Sequence, residues 1–339
     1  MAVGSGLAQL GYQSALAIAK ETAFGTFVTA TSFIEFNSES FKFSREEIKL
    51  EAINSTRDFK KRLIGKETVE GALEGPLNVA SDGIVNIIKQ AMGGSVASTA
   101  LSTTAFKHVL SVGNMEDNAS TGTDDMKSLS VVVRKGDTNT WDAAGMRVNT
   151  LTIKGEVGGV VTFNAEMVGQ SMSITSTCPA ITLSDVLPVN FTGISIKTGI
   201  SLTTSLTAEC FTGFEFTINN NLDADQRCLG TRNIAILPPI RREVMIKLSQ
   251  RFDTLTSYSR ALENTVTAIQ IILDTDTAIA DATTYSMAID LPSVYFNSNM
   301  PEVGDIGVLN VELEGTCMYN SATSNVLEMS IYNATTDYL

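Results

Sequence analysis

Apolar and polar side chains alternate along most of this chain. Runs in which roughly every second position is apolar occupy residues 32–43, 106–112, 128–134 and 149–156, and later 213–219, 267–275 and 307–315. They are rich in Val, Ile, Thr and Phe and are separated by Gly, Asn, Asp and Ser, the chemistry of pleated strands joined by turns. The pattern predicts a mainly β protein dominated by antiparallel sheet.

Two stretches follow a helical period instead. In residues 81–94, Ile84, Val85, Ile88, Ala91 and Met92 share one face, with Ser81 or Asp82 placed to cap the start and Gly93 to stop it. In residues 250–264, Phe252, Leu255, Tyr258, Ser259 and Leu262 trace a similar stripe, with Asp253 or Thr254 as the candidate cap.

The two halves of the chain align in one order. "IEFNSES" (34–40) lies beside "FEFTINN" (214–220), and "ETVEGALEGPL" (67–77) beside "REVMIKLSQRF" (242–252). "KSLSVVVRKG" (127–136) lies beside "TAIQIILDTD" (267–276), and "TFNAEMVGQSM" (162–172) beside "VLNVELEGTCM" (308–318), with a helix in the same slot each time. Ordered self-similarity predicts a duplicated unit: two tandem copies of a β-sandwich or half-barrel, each with one flanking helix. The copies cover residues 13–180 and 181–339 after an N-terminal arm, 1–12. Residues 94–125, rich in Ser, Thr, Gly and Asp, read as an insertion loop in the first copy.

The repeated strand has two faces. Phe163, Ala165 and Met167 point one way, while Thr162, Asn164 and Glu166 point the other. The second copy sets Leu309, Val311 and Leu313 against Asn310 and Glu312. One side belongs to the core and the other to water, with Asn and Glu in the same places, so both copies can present one acidic surface to a shared space.

Charge narrows the partners. With 24 Lys+Arg against 37 Asp+Glu the formal net charge is -13, which argues against gripping nucleic acid through its phosphates. The most charged stretch, residues 45–66, reads as a long hairpin with a basic tip at Arg57, Lys60, Lys61 and Arg62, suited to another subunit's acidic surface. Residues 220–242, with Arg227, Arg232, Arg241 and Arg242, read as a second basic excursion of the same kind.

Signals for chemistry are thin. The four cysteines, Cys178, Cys210, Cys228 and Cys317, form no CxxC pair, and the single His108 completes no cluster at zinc spacing, so neither metal nor cofactor is expected. "GEVGGV" near Gly155 reads as a hairpin turn, since it lacks the strand-to-helix setting and the Lys of a phosphate loop. Nucleophilic catalysis lacks its usual base, and Asp124 with Asp125 sits in a polar loop. The start of the chain lacks the basic and apolar regions of a signal peptide, and no apolar run approaches the roughly 18 residues that span a bilayer. Synthesis in a cytoplasm is expected, with no membrane binding.

Residues 6–40 resemble the start of the tail tube (major tail) proteins of long-tailed bacteriophages. The match is Lys20, Glu21, Thr22, Phe24, Gly25 and Thr26, in the pattern "KET-x-FGT", followed by Phe33, Phe36, Ser38, Glu39 and Ser40. "FTGFEFTINNNLD" (211–223) is similar to the strand and turn that open the family's second half, and "LPSVYF" (291–296) to its penultimate strand. The family more often has Gly before the Ile at position 18.

This resemblance implies a structural virion protein rather than an enzyme. Such proteins stack as rings whose sheets join into a closed β-barrel around a channel for the genome and the tape measure protein. A duplicated chain implies trimeric rings of pseudo-sixfold symmetry, with Asn164, Glu166, Asn310 and Glu312 lining the lumen. The hairpin resembles the family's loop that overlaps the adjacent ring, and the N-terminal arm looks like a segment that orders on contact with neighbours. Further implied partners are the tail terminator and the distal tail or baseplate proteins; DNA is met only in passing. The resemblance leans to a non-contractile tail, assembled in the host cytoplasm and used for genome ejection. A capsid-decorating or adhesin-like β-sandwich that binds a host ligand through its loops is the alternative.

Overall fold

A computed structural model of the chain describes residues 10–51, 53, 57–59, 61–113, 128–136, 139–175, 178, 180–204, 206–252, 256–280, 282–297 and 308–338, with backbone alone at 256–258. In chain order the first half forms β1 (Ala15–Lys20), β2 (Ser32–Ile34), β3 (Ser38–Glu39), β4 (Lys42–Lys49) and β5 (Arg62–Pro76). Helix α1 (Asp82–Met92) follows, then β6 (Gly93–Ala100), β7 (Phe106–Val112), β8 (Leu129–Lys135), β9 (Asn139–Glu156), β10 (Thr162–Gly169) and β11 (Ser171–Thr175). The second half forms β12 (Ile194–Gly199), β13 (Thr207–Ala208), β14 (Gly213–Asn219) and β15 (Glu243–Arg251). Helix α2 (Thr256–Leu262) precedes β16 (Thr267–Ala280), β17 (Thr283–Phe296), β18 (Asn310–Cys317) and β19 (Glu328–Asn333). The fold is mainly β, as the alternation predicts.

All strand pairs are antiparallel, and one pairing order occurs twice. In the first half β1 pairs with β8, β8 with β9, β9 with β10, β10 with β5 and β5 with β4. In the second half β12 pairs with β16, β16 with β17, β17 with β18, β18 with β15 and β15 with β14. β11 adds to β9 as β19 adds to β17. The halves are joined where β9 also pairs with β14, from Gly213↔Glu156 to Asn219↔Thr150. The result is one sheet running β4, β5, β10, β9, β14, β15, β18, with the longer strands turning out of it to build a second layer.

Register refines the sequence alignment. Phe43 faces Val69 on β5, and Phe216 faces Ile246 on β15, while Val69 and Ile246 face Gly169 and Gly315 of the repeated strand. The structural counterpart of Phe214 and Phe216 is therefore Phe41 and Phe43, not Ile34 and Phe36. Gly71 permits this: a Cβ there would lie 2.5 Å from the Cα of Phe41.

The core lies between the layers and holds α1. Ile84, Val85, Ile87, Ile88, Ala91 and Met92 of the helix are buried, and Gly93 ends it in the left-handed region at φ 65. Ser81 occupies the N-cap position but does not cap; its hydroxyl donates to the Phe33 carbonyl at 3.3 Å. Asp82 instead accepts from the hydroxyls of Thr335 and Tyr338, both at 2.7 Å, which pins the end of the second half to the helix of the first. The second helix is shorter than its stripe suggested. β15 keeps its alternation to Arg251, where Gln250 and Arg251 face Val311 and Asn310, and helix begins at Thr256. The proposed caps Asp253 and Thr254, and the side chains of Leu255 and Tyr258, lie outside the described residues.

Part of the expected insertion loop is ordered strand. Residues 93–112 form the β6–β7 hairpin, and β7 pairs with β19 from Glu328↔Ser111 to Asn333↔Phe106. The rest of that segment from residue 114 on, including Asp124 and Asp125, lies outside the described residues, as do residues 1–9 of the arm. The glycine-rich stretch after β9 is the expected hairpin turn, with Gly158 at φ 83.

Candidate assembly surfaces

The repeated strand divides as its alternation requires. Phe163, Ala165 and Met167 on β10 and Val311 and Leu313 on β18 are buried, whereas Asn164, Glu166, Asn310 and Glu312 are exposed. All four lie on the same face of one sheet, but not side by side. β9, β14 and β15 stand between β10 and β18, a span of about 19 Å at ordinary strand spacing.

The intervening strands supply residues that the sequence reading did not assign. Across the joint, Lys154 faces Glu215 and Thr152 faces Thr217, and on the next pair Lys247 faces both Glu215 and Glu314. Lys154 bonds Glu156 at 2.6 Å, Lys247 bonds Glu314 at 3.0 Å, and Lys42 bonds Glu70 at 3.0 Å. The hydrogen bond that Lys154 donates to Glu156, then the charges of Glu156 and Glu215, hold the Lys154 ammonium above its ordinary pKa; Glu314 does the same for Lys247, with help from Glu215 and Glu312. Even so, the cations on this face, Lys42, Lys154, Lys247 and Arg251, are outnumbered. Glu70, Glu74, Glu156, Glu166, Glu215, Glu243, Glu312 and Glu314 share it. The face is acidic, and Lys42, Lys154 and Lys247 are each tied to a neighbouring carboxylate.

β4 and β5 continue past the sheet as an exposed two-stranded ribbon, paired as far as Lys49↔Arg62. Arg57, Lys61 and Arg62 are exposed on it, as the sequence suggested, and Lys60 lies outside the described residues. Arg62 bonds Glu47 at 3.3 Å and Arg45 bonds Glu67 at 2.9 Å. The ribbon is also strongly apolar, which charge counting hid: Ile48, Leu50, Ile53, Phe59, Leu63 and Ile64 are all exposed. An exposed apolar set of this size makes the ribbon a candidate contact surface.

The second basic excursion does not reach outward as a whole. Arg227 donates to the Glu67 carbonyl at 3.1 Å and to the Thr68 hydroxyl at 3.2 Å, bracing the base of the ribbon, while Lys66 bonds Asp225 at 3.3 Å. Arg242 turns inward to the carbonyls of Met92 and Gly113, and burial lowers its guanidinium pKa. Arg147 donates to the Leu237 carbonyl at 2.7 Å and Gln170 to that of Ile234 at 2.9 Å. Residues 220–242 thus clamp the halves together, leaving only Arg232 and Arg241 exposed among their arginines.

The "KET-x-FGT" residues are structural. Glu21 is fully buried and accepts from Ser128 Oγ at 2.5 Å, Ser130 Oγ at 2.8 Å, the Gly145 amide at 2.8 Å and the Gly25 amide at 2.9 Å. Gly25 sits at φ 74, where a Cβ would also run into the Gln170 amide. Phe24 lies under the Arg147 guanidinium at 5.0 Å. Four donors satisfy the buried carboxylate and tie the end of β1 to the corner of β9.

A family model described as phage tail tube protein matches residues 11–317. The chain belongs to that family. As a tail tube family member it is a structural component of the phage tail. Curated proteins give no match. Among the described residues no cluster of three or more metal-ligating side chains occurs, and no helix is long and apolar enough to cross a membrane.

Proposed function

We propose that three chains close into a ring and that rings stack end to end into a non-contractile tail tube. Residues 13–180 and 181–339 act as two like tube domains after the arm 1–12, so three chains fill a ring of pseudo-sixfold symmetry. The observation that carries this reading is the repeated pairing order together with one unequal edge. β14 receives β9, whereas its counterpart β4 pairs only with β5 among the described residues. An open sheet edge invites uncontrolled association, and closing the sheet around a ring removes it.

In this reading the acidic face lines the channel, with Asn164, Glu166, Asn310 and Glu312 in its wall. DNA, with about one charge per 1.7 Å of helix axis, is repelled from that wall and does not stick in transit during genome ejection. The tape measure protein occupies the channel before ejection, and the tail terminator and distal tail or baseplate proteins meet the ends of the tube. The β4–β5 ribbon contacts the adjacent ring, its apolar side chains providing burial and its arginines and lysines meeting an acidic neighbour. Assembly takes place in the host cytoplasm, and no catalytic step is involved. Solution mass measured over a wide concentration range tests the reading. Mass should grow without limit in steps of three chains, whereas a small closed oligomer at every concentration would favour a capsid-decorating protein.

A further inference from the structure

The chain carries two nearly identical strand edges. From Val133 and Leu273, which the alignment of the halves equates, the ladders run outward through Trp141 and Met287 to Ile174 on β11 and Ile331 on β19. Met172, Ser173 and Ile174 therefore hold the places of Met329, Ser330 and Ile331, residue for residue. Yet the β6–β7 hairpin covers only one of the two. Ile331 faces His108 and is fully buried, whereas Ile174 is 79% exposed and β11 pairs only with β9 among the described residues. Strand pairing reads backbone groups, and these are the same on both edges.

What differs is the segment that follows each edge. After β19 come Asn333, Thr335, Asp337 and Tyr338; the corresponding positions after β11 are Ser176, Cys178, Ala180 and Ile181. His108 is fully buried, with Nε2 3.1 Å from Asn333 Oδ1 and 2.9 Å from the Thr335 carbonyl. Its Nδ1 lies 2.8 Å from Ser98 Oγ, which bonds Asp337 Oδ1 at 3.1 Å. The Tyr338 ring meets the imidazole edge to face at 4.8 Å, its hydroxyl donates to Asp82, and Lys89 donates to its carbonyl. We propose that this clasp selects the partner of the β6–β7 hairpin, admitting the chain's own β19 and rejecting β11, whether of the same chain or of a second copy. On β19 both ring nitrogens of His108 are met. On β11 the hairpin would bury the same ring opposite Ile174, with no Asn, Asp or Tyr at the positions that follow, and a buried polar group left unpartnered is costly. The strand supplies affinity for either edge, and the buried polar contacts supply the discrimination. A hairpin that took another copy's β11 would link chains head to tail with nothing to close the series. The selection acts in the single chain, before any ring forms.

A competition for one thiol tests this on the full-length protein. Val109 faces Ser330, so Val109→Cys on β7, combined with Ser173→Cys on β11 and Ser330→Cys on β19, chooses between two equivalent partners. After mild oxidation of the dilute chain and peptide mapping by mass spectrometry, the bond between positions 109 and 330 should dominate. Asn333→Ser, Asp337→Ala and Tyr338→Ile together give the tail residues like those that follow β11. The share of the bond between positions 109 and 173, within or between chains, should then rise on the order of tenfold, the ratio set by one buried group left unpartnered. Circular dichroism checks that the variant is folded. Asp337→Ala alone changes an exposed side chain and should raise the same share by a smaller factor, which keeps the test decisive if the triple variant does not fold. An unchanged share in either folded variant, or equal loss of both bonds, would overturn the proposal, because the clasp would then only strengthen a joint chosen elsewhere.

Discussion

Thr152 and Thr217 place their hydroxyl oxygens 3.3 Å apart across the line where the two halves of the chain meet. They mark the middle of the β9–β14 joint, with Lys154 and Glu215 facing each other beside them. Cross-strand pairs of this kind contribute about 0.2–1 kcal/mol each, so the ladder of backbone bonds matters more than either hydroxyl. Thr217→Val should cost less than about 1 kcal/mol. Thr217→Pro removes a ladder hydrogen bond from a central strand and should cost about 3 kcal/mol or more. Urea titrations of both variants check this; equal midpoints for the two would mean the joint contributes little.

The acidic face yields a prediction about transport. Glu166→Lys combined with Glu312→Lys reverses two charges on side chains that are exposed in the single chain. Tubes should still form, and DNA should leave the particle more slowly, because attraction acts within the roughly 8 Å reach of charges at physiological salt. Ejection followed by dye fluorescence decides it, and unchanged kinetics would take these residues out of the lumen.

Removal of residues 55–64 shortens the ribbon without touching the core. The shortened protein should remain soluble and fail to polymerise. A gentler variant, Phe59→Ser, changes an exposed side chain and should shift stability by no more than about 0.5 kcal/mol while weakening assembly. Normal tubes from the deletion would remove the ribbon from the contact between rings.

Glu21 and Ile88 test the interior. Ile88→Ala empties a buried site on α1 and should cost about 2–5 kcal/mol. Glu21→Ala strands four donors, each worth about 1–3 kcal/mol if left unsatisfied. It should be the more damaging of the two in thermal unfolding, and a milder effect than that of Ile88→Ala would mean water replaces the carboxylate.

The cysteines should react in order of exposure. Cys210 and Cys228 are exposed, Cys178 is partly covered with its thiol pKa raised by burial, and Cys317 is buried with its thiol pushed up to about 12. Thiolate is the reactive form, so at mildly alkaline pH a disulfide reagent should label Cys210 and Cys228 quickly, Cys178 slowly and Cys317 only on unfolding. Prompt labelling of Cys317 in the folded protein would contradict its place in the core.

The faces of the strands were legible because the pleat fixes a period of two whatever lies alongside. Asn164, Glu166, Asn310 and Glu312 could therefore be assigned outward from sequence. What lies alongside was not legible, since β9 and β14 are distant in the chain and each is amphipathic next to any partner. Lys154, Glu215 and Lys247 belong to the same face for that reason and went unassigned. Near Phe36, two apolar-x-apolar triplets compete for one position, and only the space opposite Gly71 selects Phe41 and Phe43. Strand β7 was legible from its alternation over 106–112, but β6 was hidden by its small polar residues, which form strand because β7 offers an edge. Counting charge concealed the apolar side of the ribbon and the inward turn of Arg227 and Arg242.

The claim that matters most is that each chain supplies two like positions in a ring. Averaged end-on views of assembled tubes, combined with mass per unit length, measure it. Six similar lobes built from three chains per axial repeat are the predicted result. Six chains per repeat, or particles that stay small and closed, would contradict the account.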